Sequence, residues 1–475
     1  MMILPLTIGF LLPACVGWLL LDLVEWKVHV LEREEKWALG FVVGMTLSMF
    51  VAFFANVLLG VPFTASGFLM VFAALLIALG IPWVLRRKSV PPYFAPLLPA
   101  ETMPRGVRIA VMALGAWVAV RVLLFCLTLL LVPSFFDDTT DNWNLRGKIF
   151  YLQKSFTLQF PWSPNIPGVS SYPPTVPLAK TWLATLAGSW QEGIVNSIHF
   201  IWFIALLLLV YWTLRRMLPM SFALLGAIIL ASLPLELIHG TSAYADVFLS
   251  VHLFASVALL VHALRSEDAG RAMSFLRISG LMIALVTFTK NEGWALYFPV
   301  LALLFAITAL WLWRKKAVSP RALIITALIA GGVILAIVVP WIAFKLTNGL
   351  PFGNAKGIDL NFRWQKNVLL SVTVNTFFEG NWGLLFPLFF GLLALRWKTA
   401  FRTSVVTLTT FFLIPYLVQM FAYLFTGLST EALLQTGYAR GLIHLMPVIV
   451  TITTLLMYDL VTCRPTPPSS DINRT

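Results

Sequence analysis

Apolar residues in this chain come in blocks long enough to cross the ~30 Å of a bilayer's hydrocarbon, which takes ~20 helical residues. The blocks are 4–22, 37–58, 62–84, 107–132, 194–213, 219–237, 243–264, 273–289, 294–313, 322–346, 382–396, 403–426 and 440–460. With 59% hydrophobic and only 11% charged residues over 475 positions, no soluble core can hide the apolar surface. Continuous runs, rather than ten-residue alternations, exclude a β-barrel and predict an all-α polytopic membrane protein of about thirteen transmembrane helices. The first block has no basic stretch ahead of it and does not read as a cleaved signal peptide.

Basic residues set the orientation, because lysine and arginine in short loops concentrate on the cytoplasmic side. The clusters are Arg86–Arg87–Lys88, Arg215–Arg216, Arg265 with Arg271, Arg314–Lys315–Lys316, and Arg396, Lys398 and Arg402. Thirteen crossings with the N-terminus outside place all five inside, and leave two long polar segments, 133–193 and 347–381, on the outer face. Residues 175–190 compete for a fourteenth crossing, but they are short, carry Lys180, and would turn the later arginine clusters outward. They read as a helix lying at the outer surface, packed against the bundle. The tail from Cys463 is short and rich in Pro and Ser, which predicts disorder.

Several functions find no support. Cys15, Cys126 and Cys463 form no C-x-x-C, and neither H-E-x-x-H nor a phosphate-binding G-x-x-x-x-G-K-[ST] is present. The net charge of +13 suits a basic inner surface facing anionic membrane lipids rather than a nucleic-acid partner. The inverted halves of many transporters are not visible.

Ionisable residues at membrane depth are costly and face a cavity or a partner. Asp137, Asp138 and Asp141 follow the span 107–132 directly, with Trp143, Arg146, Lys148 and Lys154 just beyond. Acids beside cations suit group transfer from a phosphate carrier; a solvated loop is the simpler alternative. Tyr172 sits in SSYPPTVPLAK, whose prolines make a rigid corner, and reads as an interfacial aromatic or a catalytic phenol. Glu236 and His239 share a helix face, and Asp246 falls at a helix start, where it caps or functions. His252 and His262, further along that span, read as packing residues. Lys290, Asn291 and Glu292 fill a tight outer turn, where Lys290 can clamp a phosphate. Segment 347–381 mixes Lys356, Asp359, Arg363, Lys366 and Glu379 with aromatic residues, and can cover an outer site. Arg440 and His444 stack at the start of the last span, where the arginine either snorkels to the interface or holds a lipid-borne phosphate.

A long acidic loop after one span, seven spans in all and a second outer loop after the seventh resembles the GT-C superfamily of membrane glycosyltransferases. The likeness is to its protein O-mannosyltransferase and aminoarabinose transferase branch. It rests on D-N-W-N-L-R-G-K at 141–148, Y-P-P-T-V-P-L at 172–178, Y-A-D at 244–246, T-K-N-E-G at 289–293 and Y-A-R-G-L-I-H-L-M-P at 438–447, and covers roughly 107–460. On this layout, 1–106 is a three-helix addition, 107–346 the core, 347–381 the second outer loop, 382–460 the C-terminal helices and 461–475 a cytoplasmic tail.

The resemblance implies an inverting transferase in a bacterial inner membrane, moving a sugar from a polyprenyl-phosphate carrier to a lipid or glycan acceptor on the outer face. It implies Asp141 as base on the acceptor, with Asp138 second because the paired acids at 137–138 depart from a pattern with one obvious base. Asp246 would orient the acceptor or, with Asp138, hold a divalent metal, which the chemistry permits but does not demand. Lys290, Arg440 and His444 would hold the carrier phosphate, with Tyr244, Glu236, His239 and Glu292 also contacting substrate. A lipid or solute transporter, or a lipid-linked oligosaccharide ligase or polymerase, is the alternative.

Overall fold

The long apolar blocks form helices because they are rich in leucine, alanine and phenylalanine and every backbone polar group must be satisfied inside the segment. In the computed structural model, the residues described are 3–26, 28–87, 103–135, 138–159, 171–352, 362–402 and 404–462. Asp137, Lys88, Lys356, Asp359 and the tail from Cys463 lie outside them. Among the described residues there is no strand.

The first helices are α1 (Ile3–Glu25), α2 (Arg33–Leu59), α3 (Ala65–Arg87) and α4 (Arg105–Leu131). They are followed by α5 (Asn144–Gln153), α6 (Thr175–Ala187) and α7 (Glu192–Arg215). Then come α8 (Met220–Ser232), α9 (Pro234–Gly240), α10 (Asp246–Arg265), α11 (Ala269–Val286), α12 (Phe298–Arg314) and α13 (Pro320–Thr347). The chain closes with α14 (Val368–Phe377), α15 (Leu385–Leu395), α16 (Trp397–Ala400), α17 (Val405–Phe425), α18 (Ser429–Leu433), α19 (Gly437–Ile443) and α20 (Met446–Thr462). Ten helices are long and apolar enough to cross a membrane, and two bent pairs, α8–α9 and α19–α20, raise this to as many as twelve among the described residues.

The expected span 382–396 is corrected in form. Its helix, α15, has 11 residues, too few for ~30 Å of hydrocarbon at ~1.5 Å each. The passage is shared with α14, part of what reads from sequence as an outer loop. Gln365 N–H donates to Leu424 O (2.8 Å) at the far end of α17, whereas Thr399 donates to Asp459 (2.9 Å) at the end of α20. Between these points the chain has traversed the bundle. The helix expected over 175–190, at the outer surface and packed against the bundle, is α6. α6 has 13 residues, and Thr175–Ala184 are all buried beneath neighbouring helices.

Local chemistry fixes the ends. Glu32 and Glu35 make a reciprocal capping box at the start of α2, and Gly60 (φ 69°) closes it in the left-handed region. α1 and α2 pack backbone to backbone, since a Cβ on Gly17 would strike the Gly40 carbonyl and one on Gly44 the Pro13 carbonyl. This is the close approach that small residues permit in a membrane. The described residues of the basic clusters lie at one end of the bundle. There Lys36 lies between Asp22 (2.9 Å) and Glu25, and Arg216 pairs with Glu35, tying α1 and α2 to α7. The described parts of the 133–193 segment and the 287–292 turn lie together at the opposite end, called the loop end below.

Candidate active site

Every charged residue at the loop-end site sits where a helix breaks. α8 and α9 meet at 78° at Pro234, and α19 and α20 at 54°. Two π-turns, Thr139–Trp143 and Gly293–Tyr297, interrupt the helices beside it, a distortion common at functional sites. Such breaks free the backbone and aim side chains inward.

Asp246, the first residue of α10, is fully buried and is the hub. Its Oδ1 accepts from Lys290 Nζ (2.7 Å) and contacts His444 Nε2 (3.0 Å). Its Oδ2 accepts from Arg440 Nε (3.1 Å) and contacts His239 Nδ1 (3.2 Å). The start of a helix already favours a negative charge, and two cations add to this. A neutral His444 donating from Nε2 accepts at Nδ1 from the Tyr297 hydroxyl (3.2 Å), which itself accepts from Gln419 (3.1 Å).

The same cations reach outward. Arg440 Nη1 pairs with Asp138 Oδ2 at 2.5 Å, and Lys290 lies 3.8 Å from Glu292, whose Oε1 is 3.5 Å from the Tyr172 hydroxyl. Burial and the neighbouring Glu292 raise the Tyr172 phenol well above its ordinary range, keeping it a neutral donor. Arg440 covers the ring of Tyr244 (5.3 Å), which stacks on His239 (4.6 Å). Side-chain exposure divides the cluster: Asp138 (33%), Glu292 (33%) and Arg440 (28%) can touch a ligand, while Asp246 (0%) and Lys290 (3%) support them from behind.

The structure thus brings together Asp138, Asp246, Lys290, Glu292, Arg440, His444, His239 and Tyr244. Asp141 is exposed and accepts only from Thr140 (3.2 Å), with no ion pair among the described residues. Glu236 is fully buried with neither carboxylate oxygen hydrogen-bonded, inside the broken helix beside the hub. His252 bonds Thr46 (2.9 Å) and the Phe248 carbonyl, a packing role. Sequence reading passed over Tyr297, Gln419 and Lys345; each lies in an apolar run that reads as plain membrane helix.

A divalent cation at Asp138 and Asp246 is a poor fit. Lys290 and Arg440 occupy the Asp246 oxygens, and a metal would have to displace both. The described residues that do cluster as possible ligands, Asp22, Glu25 and His29, lie at the basic end around the Lys36 ammonium.

The fold and site together define an all-α bundle of membrane-length helices with acids and bases gathered at its helix breaks. The chain is similar in fold to ArnT from Cupriavidus metallidurans, solved in the apo state, with a TM-score of 0.51 at 13% sequence identity. The match covers 74% of this chain and 60% of that one, so less than two thirds of ArnT is spanned. No family model matches the sequence, and no curated protein does.

Proposed function

We propose that the protein transfers a sugar from a polyprenyl-phosphate carrier to a hydroxyl of a lipid or glycan acceptor, at the loop end and on the outer side of a bacterial inner membrane. The observation that carries this reading is the joining of Asp138, Arg440, Asp246 and Lys290 into one partly open cluster at the breaks of a GT-C-like fold. Loop-end placement opposite the basic clusters supports the sidedness.

Asp138 is the base in this proposal. Among the described acids of the first loop it is the one paired with the cluster, and its carboxylate, on a side chain one third exposed, can take a proton from an acceptor hydroxyl. The acceptor oxygen bonds to the anomeric carbon as the bond from that carbon to the phosphate oxygen breaks. The proton passes to Asp138 and polyprenyl phosphate departs, so a single displacement inverts the anomeric centre. Asp246 acts as a positioning residue: with four donors on two oxygens it has no lone pair to spare, and it fixes Lys290, Arg440 and His444 before substrate arrives. Asp141, three residues on and exposed, is the alternative base.

The test is to incubate the purified protein with a panel of polyprenyl-phosphate sugars and a membrane extract, and to follow release of polyprenyl phosphate and the anomeric configuration of the product by NMR. Release with inversion supports the reading. Release with retention excludes the single displacement, and no release with any donor and a complete extract excludes the transferase and favours transport.

A further inference from the structure

Beside the acid-centred cluster lies a second set of buried cations that has no acid. Arg146 on α5 is 1% exposed, and its Nε and Nη1 make no hydrogen bond; only Nη2 is used, donating to the Tyr172 carbonyl (2.9 Å). Lys345, near the loop end of α13, is also 1% exposed and donates to two neutral oxygens, Asn291 Oδ1 (3.1 Å) and the Pro351 carbonyl (3.0 Å). Asn291 in turn donates to Ser171 Oγ (2.9 Å), beside Tyr172, so one continuous chain of bonds links the two cations. Each lies in electrostatic range of the other, and neither has a carboxylate partner among the described residues.

This contrasts with the hub one residue away. In the turn 289–293, Lys290 points to Asp246 and Asn291 points to Lys345, so the turn separates a compensated pocket from an uncompensated one. Burying an unpaired charge is expensive, and two like charges together more so, unless an anion completes them. Burial depresses the Arg146 guanidinium to about 9. The two free N–H groups of a guanidinium form the fork that grips phosphate oxygens, and Lys345 adds a point charge. A small cavity lined by Trp294, Trp341, Ile342 and Phe352 also takes in Lys345, so apolar surface adjoins the charge.

We propose that Arg146 and Lys345 form an anion subsite that takes the phosphate of a phosphate ester. Naming that ester as the polyprenyl carrier rests on the transferase reading.

The test uses the full chain in lipid nanodiscs, as wild type, Arg146→Gln, Lys345→Gln and the charge-keeping Arg146→Lys. Binding of polyprenyl phosphate, neutral polyprenol and inorganic phosphate is measured by thermophoresis, and unfolding of the ligand-free protein by heating. Each glutamine variant is expected to bind polyprenyl phosphate roughly tenfold or more weakly, with polyprenol unchanged, Arg146→Lys intermediate, and the ligand-free protein as stable as wild type or more so. Unchanged phosphate affinity in folded variants overturns the subsite, as does an equal loss for polyprenol. Cation-dependent binding of inorganic phosphate without any of polyprenyl phosphate upholds the subsite and removes the carrier.

Discussion

Asp246→Asn tests whether the hub is an electrostatic unit. The substitution keeps shape and some hydrogen bonding but deletes the charge that Lys290 and Arg440 share. Arg440 is 28% exposed and keeps Asp138 at 2.5 Å, so its share of the loss is small, about 0.5–1 kcal/mol. Lys290 is 3% exposed and keeps only Glu292, 3.8 Å away. Stranding a buried charge costs about 3–5 kcal/mol, so Lys290 carries most of the effect. Removing both charges, in Asp246→Asn with Lys290→Met, should therefore cost less than the two single changes added together, by about 1.5–3 kcal/mol. The assay is reversible unfolding in mixed micelles by titration with sodium dodecyl sulfate, followed by circular dichroism. Additivity within about 0.5 kcal/mol would refute the reasoning.

Gly44→Val should destabilise the protein by about 1–3 kcal/mol, since the new side chain meets the Pro13 backbone, which cannot yield as a side chain can; unfolding at the wild-type denaturant midpoint would contradict this. Lys36→Met leaves Asp22 and Glu25 together with His29 and Arg86 as remaining partners, and should cost about 3–5 kcal/mol. Lys36→Arg should cost clearly less, and equal losses for the two would show that packing, not charge, is at stake.

Membrane topology was the most legible part of the sequence because it is written in long, redundant runs. The described residues of the basic clusters gather at one end, and up to twelve of the thirteen expected spans are helices or bent helix pairs long and apolar enough to cross a membrane. What misled was the 347–395 region, where hydrophobicity alone merges loop with helix. Glu379, Gly380, Asn381 and Gly383 break the pass into α14 and α15. The α1–α2 contact was missed although Gly40 and Gly44 are four apart, because the partner Gly17 lies on another helix and spacing does not reveal partners.

At the site, composition pointed to most of the residues that the structure brings together but not to their relations. Asp246, Lys290 and Arg440 stand 194 positions apart at the extremes, and only the bends at Pro234 and before Met446 bring them to one point. The choice between Asp138 and Asp141 depends on a π-turn that no local pattern announces. Lys345 ends an apolar helix, where a lysine ordinarily snorkels to the interface; its burial is a tertiary fact.

The central claim is tested most directly by polyprenyl-phosphate release from wild type, Asp138→Asn and Asp141→Asn, with donor binding measured on each. The account predicts that Asp138→Asn turns over about 10²–10⁴-fold more slowly while binding donor normally, and that Asp141→Asn stays close to wild type. Undiminished turnover by Asp138→Asn would contradict it, and with a silent Asp141→Asn would move the base to the exposed acid.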